Sequence, residues 1–143
     1  MSIVRAFADA FNRGDVDGLL DCFTEDATYT DNFYGPHRGK GVLREMFERM
    51  FKEGRDYRWQ MDTVVETPQR VAAEWRFGYV VTDAVPRSAG KRIQFRGMSL
   101  FELADGRIIA YREQFDLGIA LLQLGFAPES IAKVLGLRLQ SSM

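Results

Sequence analysis

Near residue 56 the apolar residues of this chain stop recurring at helical spacing and begin to alternate, and from about residue 117 the helical spacing returns. A period near 3.6 serves one face of a helix and a period of two serves one face of a strand. The order is therefore helices, then strands, then helices, which predicts an α+β fold rather than a βαβ array. Ile3, Phe7 and Phe11, with Val4 and Ala8 beside them, predict a helix over residues 2–13. Ser2 suits its N-cap and Gly14 its stop. "DVDGLLDCF" predicts a short second helix with Asp15 as cap and Val16, Leu19, Leu20 and Phe23 as stripe. "TEDATYTD" turns into a strand, and "VLREMFERMF" predicts a third helix.

Among the strands, Tyr57, Trp59, Met61 and Thr63 share one face of the first. Val71, Ala73, Trp75, Phe77 and Tyr79 share one face of the next, with Glu74, Arg76 and Gly78 opposite. "TDAVPRSAGK" reads as a long connection, and "ADG" as a compact hairpin loop between "RIQFRGMSLFEL" and "RIIAYREQFD". The tail is broken near Gly125-Phe126 and restarts at Pro128, which suits a first helical turn. These elements predict a cone-shaped, curved antiparallel sheet packed against N-terminal helices, with the C-terminal helical tail as its lid. Phe7, Phe11, Phe33, Trp59, Trp75, Phe95, Ser99, Tyr111 and Phe115 are expected to line the pocket inside the cone.

At 143 residues the chain is read as one domain, residues 1–143. A net charge of −1 speaks against a nucleic-acid binder, which needs a concentrated basic surface. No apolar run is long enough to span a membrane, and the opening residues lack a signal-peptide layout. Cys22 is the single cysteine, so the expectation is no internal disulfide and a cytoplasmic setting. One Cys and one His cannot supply a structural zinc site, and no cofactor or metal is expected. Eleven Phe, five Tyr and two Trp are enough to pack a core and also wall a cavity for an apolar ligand.

A few polar residues stand out against that background. Asp31 ends the strand "ATYTD", where Asp is disfavoured. It is either an Asx-turn residue before Gly35-Pro36 or a carboxylate delivered to the pocket beside Tyr29. Glu113 shares a strand face with Ile109, Tyr111 and Phe115, so a partner is required. Arg76 is the candidate partner, yet alternation leaves two registers open. Either Glu74 and Arg76 face solvent while Trp75 and Phe77 face the cavity, or the reverse. His37 in "GPHR" is read as solvated, with a proton shuttle as the alternative. Cys22 is read as a packing residue.

The segment "AFADAFNRGDVDGLLDCFTEDATYTD…G…RGKGVLREMF" and the later "SLFELADGRIIAYREQFD" resemble the SnoaL-like families of the nuclear transport factor 2-like superfamily. The resemblance covers residues 3–118. It implies the cone fold, a homodimer formed through the outer sheet face around Arg96, Met98 and Leu100, and a small hydrophobic substrate. Against the ketosteroid-isomerase pattern, Asp31 takes the place of the general base. Phe7 stands where a donor Tyr is expected and Ser99 where a protonated Asp is expected. Against the limonene-epoxide-hydrolase pattern, Tyr29 matches the Tyr and Asp31 replaces the Asn. Arg76 matches the Arg, Glu113 replaces one Asp, and Gly78 replaces the other. The resemblance thus implies cofactor-independent proton transfer by Asp31, Tyr29, Arg76 and Glu113, of isomerase, cyclase or hydrolase class. The alternative is a non-catalytic ligand-binding or scaffold protein of the same fold.

Overall fold

The computed structural model of the protein describes residues 2–141. Helix α1 (Ile3–Arg13) starts where Ser2 Oγ accepts the Val4 N–H and ends at Gly14, whose φ of 67° is the left-handed stop. Helix α2 (Val16–Asp21) is capped by Asp15, which accepts the Gly18 N–H. Phe23, expected on that helix, instead opens strand β1 (Phe23–Asp31), where it is fully buried. "GPHR", expected as part of a turn, forms strand β2 (Gly35–Arg38), paired antiparallel with β1. Pro36 is tolerated there because β2 lies at the sheet edge. Helix α3 (Lys40–Glu53) follows, then β3 (Gly54–Glu66), β4 (Arg70–Val81), β5 (Arg92–Ala104) and β6 (Arg107–Phe115). The tail forms α4 (Leu117–Gln123) and α5 (Pro128–Ser141), with Pro128 at the first helical position.

The curved, unclosed sheet runs β2-β1-β6-β5-β4-β3. Every pair is antiparallel except β1 with β6, which is parallel and places the N-terminal hairpin against the last strand. Asp105 and Gly106 both take positive φ, as a two-residue type I′ hairpin loop requires. In β6, Glu102 of β5 faces Ala110 and Leu103 faces Ile108, so Ile109 is a bulged extra residue. That bulge corrects the strict alternation expected here. Ile108 turns inward and Ile109 outward, while Tyr111 and Glu113 stay inside.

Helix α1 lies against the inner face of the sheet. The Phe7 ring meets Trp59, Phe101 and Tyr111 at centroid distances of 5.0, 5.5 and 5.8 Å, and is fully buried. Asn12 fastens the helix to β3, donating to the Trp59 carbonyl at 3.1 Å and accepting its N–H at 2.7 Å. Where β6 stops pairing, the Gln123 side chain of α4 takes over the exposed backbone of β5. It accepts from Gln94 N and donates to Gln94 O, both at 2.7 Å. Helix α5 turns only Ile131, Val134 and Arg138 inward, and the Arg138 guanidinium donates to the Phe33 carbonyl. Among the described residues, no helix is long and apolar enough to cross a membrane.

Candidate active site

The inner face of the sheet, α3 and the tail enclose a cavity of about 390 Å³. Its walls are dominated by rings because the inward positions of β3, β4 and β5 alternate aromatic residues with outward polar ones. Trp59, Trp75, Phe77, Phe95 and Phe115 lie along these walls, and Phe95 stacks on Phe115 at 4.2 Å. Val134 of α5 and Leu121 of α4 contribute from the tail, which is the position expected of a lid.

Two buried carboxyl groups interrupt this apolar lining, which also includes Arg49, Glu53 and Arg87. Asp31 is 5 % exposed and Glu113 8 % exposed, and both face the cavity. The two readings of Asp31 are not exclusive. Its Oδ1 accepts the N–H groups of Phe33 at 2.7 Å and Tyr34 at 3.0 Å, an Asx-turn at the tip of the β1–β2 hairpin. That turn delivers the carboxylate inward, to the wall of the cavity. Glu113 is tied to the same hairpin, because its Oε2 accepts the Asn32 N–H at 2.9 Å. Asn32 Nδ2 also donates to the Phe115 carbonyl at 2.9 Å. Desolvation, and then the charge of Asp31, push Glu113 up to about 8. Desolvation also raises Asp31, but the Phe33 and Tyr34 N–H groups and the charges of His37 and Arg138 work to lower it. Both carboxyls are thus held above the ordinary carboxylate range, and because each charge acts on the other they titrate as a pair.

Behind Glu113 lies a row of buried polar groups. Trp75 Nε1 donates to Ser99 Oγ at 2.8 Å, and Ser99 Oγ lies 2.8 Å from Tyr111 Oη. Tyr111 Oη donates to Glu113 Oε1 at 2.5 Å. Tyr29, on the cavity wall, stacks on Tyr111 at 4.1 Å. Burial, Glu113 and Asp31 raise the Tyr29 phenol, which stays a neutral donor.

The profile of the SnoaL-like domain matches residues 4–111. The chain belongs to the SnoaL-like family. Solved structures share its fold. A proposed polyketide cyclase from Xanthomonas campestris pv. campestris is 26 % identical, with 86 % of this chain and 94 % of that one covered and a TM-score of 0.72. A hypothetical protein of ketosteroid isomerase-like fold from Catenulispora acidiphila, solved with trimethylamine, is 19 % identical. Coverage there is 87 % and 93 %, with a TM-score of 0.77. An LEH-like epoxide hydrolase from M. tuberculosis is 22 % identical, with 85 % and 86 % covered and a TM-score of 0.71. No curated protein matches the chain.

In this SnoaL-like domain, Asp31, Tyr29 and Glu113 converge on the cavity and Arg76 does not. Arg76 lies on the outer sheet face, where its guanidinium forms a bidentate pair with Asp62 at 2.8 and 2.9 Å. The register with Trp75 and Phe77 inward holds, so the expected Arg76–Glu113 pair is absent and Arg76 leaves the candidate set. Asp62 is itself a bulged residue of β3, set between the Met61–Trp75 and Thr63–Glu74 pairings. Of the expected pocket residues, Phe11, Phe33, Trp59, Trp75, Phe95 and Phe115 line the cavity. Phe7, Ser99 and Tyr111 are buried beneath it. Cys22 is buried, its thiol pushed up by desolvation, and Sγ donates to the Gly18 carbonyl at 3.5 Å. His37 keeps Nδ1 3.0 Å from the Gly35 carbonyl. No cluster of three or more His, Cys, Asp or Glu groups suited to a metal occurs among the described residues.

The sequence reading missed Asn32, Arg138 and the polar contacts among Trp75, Ser99 and Tyr111. Asn32 carried a weak signal, since it follows Asp31 in a turn. Arg138 carried none, because its meeting with Phe33 spans 105 positions.

Proposed function

We propose that this SnoaL-like domain is an enzyme that moves protons on a hydrophobic, oxygenated small molecule without a cofactor, in the isomerase, cyclase or hydrolase class. One observation carries the reading: two buried carboxyls face the same apolar cavity, where desolvation raises both, and we infer that they share one proton. A water-poor setting makes both groups effective, Asp31 as general base and Glu113 as general acid. Tyr29 supplies a neutral donor to a substrate oxygen or a bound water. Glu113 thereby offers the acidic hydrogen that Phe7 cannot supply. The proposed polyketide cyclase and the epoxide hydrolase among the structural relatives agree with acid–base work on oxygenated molecules.

A thermal-shift screen of epoxides, enones and polyketide-like compounds identifies ligands, since binding raises stability by mass action. Turnover of the ligands found is then measured in the wild type and in Asp31→Asn. The expected result is a loss of turnover of roughly a hundredfold or more with the thermal shift retained. Unchanged turnover overturns the assignment. Binding with no turnover in the wild type favours the second reading, a non-catalytic carrier, which the apolar Phe7 at the family's donor position supports. We also infer a homodimer through the outer face of β5, where Met98 is 56 % exposed. A cytoplasmic setting is proposed from the single, unpaired Cys22.

A further inference from the structure

We propose that Trp75, Ser99 and Tyr111 form a one-way hydrogen-bond relay that keeps Glu113 Oε1 an acceptor and so places the proton of the carboxyl pair on Oε2. The inference rests on the proton-sharing reading above and deepens it. Trp75 fixes the direction, because an indole N–H donates and never accepts. Its hydrogen occupies a lone pair of Ser99 Oγ at 2.8 Å. The Ser99 hydrogen then has one buried partner left among the described residues, Tyr111 Oη at 2.8 Å. The Tyr111 hydrogen in turn points at Glu113 Oε1, 2.5 Å away. In this orientation every hydrogen of the row finds an acceptor, and the Oε2 hydrogen is left for the cavity that Glu113 lines.

The reverse orientation leaves one hydrogen without a partner. A proton on Oε1 would have to donate to Tyr111 Oη, turning the Tyr111 hydrogen onto Ser99. Ser99 Oγ would then receive two hydrogens, and its own would be stranded in a site only 5 % exposed. Stranding a buried donor costs more than the hydrogen bond gains. The proton therefore goes to Oε2, beside Asn32 N on the hairpin that also carries Asp31. Gly97 protects this arrangement, since a Cβ there would lie 2.7 Å from the Trp75 ring and 2.6 Å from the Gln114 carbonyl. The charged and titratable groups acting on the pair include Tyr111 of β6, Tyr29 of β1, Tyr34 of the β1–β2 turn, His37 of β2, Tyr57 of β3, Tyr79 of β4 and Arg138 of α5. Arg49 and Glu53 of α3 and Arg87 share the cavity lining. Ser99 and Trp75 touch neither carboxyl and are positioning residues.

The test is an NMR titration of the wild-type protein, read at the Glu113 carboxyl carbon and at the two indole N–H groups. The Trp75 indole signal is expected to move with the same midpoint as Glu113. Trp59, whose buried Nε1 has no hydrogen-bond partner among the described residues, is the internal control and should respond far less. Tyr111→Phe should raise the Glu113 midpoint by about one pH unit, a tenfold gain in proton affinity. Ser99→Ala should raise it by roughly a third of a unit through Tyr111 alone, and Ser99→Thr should restore it. A Trp75 signal that ignores the Glu113 titration overturns the relay without any variant having to fold. An unchanged midpoint in folded Ser99→Ala overturns it equally. Neither result bears on turnover in Asp31→Asn, so relay and reaction fail separately.

Discussion

Glu113 binds its proton more tightly in the folded chain than in the unfolded one, because folding removes water from the carboxyl and sets Asp31 beside it. Folding therefore takes up a proton between the ordinary value of 4.5 and about 8. The stabilisation is fully present below 4.5 and is lost as pH rises through about 8. Each unit of displacement corresponds to about 1.4 kcal/mol. The melting temperature should accordingly fall across this window, and Glu113→Gln, which cannot titrate, should flatten the fall. A wild-type curve that rises with pH would contradict the buried, protonated Glu113. The sequence exposed Glu113 as a carboxyl on an apolar face and named its neighbours, but it supplied the wrong partner. Arg76 was two-faced on alternation alone, and the bulge that hands it Asp62 leaves no mark in residue types. The Asx-turn and the pocket were rival fates for Asp31 in the sequence, yet the turn is what sets its carboxyl on the cavity wall.

Helix α5 covers the cavity with a narrow face. Among its described side chains Ile131, Val134 and Arg138 turn inward, while Leu135, Leu137 and Leu139 stay exposed. Few buried contacts mean a low cost of local opening, which is what a cover over a binding cavity requires. Truncation after Ala127 should leave the sheet folded by circular dichroism and raise the fluorescence of an apolar dye bound in the cavity. Unchanged dye binding would assign the helix another role. The helices were legible because their caps and stripes are local: Ser2, Gly14, Asp15 and Pro128 each act within one turn of their own position. Strand β2 was not, since Pro36 and Gly35 spell a turn, and only the neighbouring β1 makes an edge strand of them. The bulge at Ile109 escaped for the same reason, being a property of the pairing with β5.

On the sheet, the rings face inward and a set of arginines faces outward. Arg58, Arg76, Arg92 and Arg96 border a groove on the far side of the sheet, with Met98 on the same outer face of β5. A twofold contact centred on Met98 would let the two sheets meet while the arginines stay at the rim. Sedimentation equilibrium should then report a dimer, and Met98→Glu should shift it towards the monomer with the fold intact. A wild-type monomer at all concentrations would end that proposal. The fold class could be read from the order of periods alone, whereas the chemistry depends on which strands become neighbours. The parallel contact of β1 with β6 has its own consequence for how the protein comes into being. Asn32 and Glu113 are 81 positions apart, so during synthesis the first hairpin waits without its sheet neighbour until β6 has left the ribosome. The acid–base pair is consequently absent from every nascent intermediate that lacks β6, and a chain stalled before that strand carries a greasy half-sheet with nothing to do except stick or be degraded.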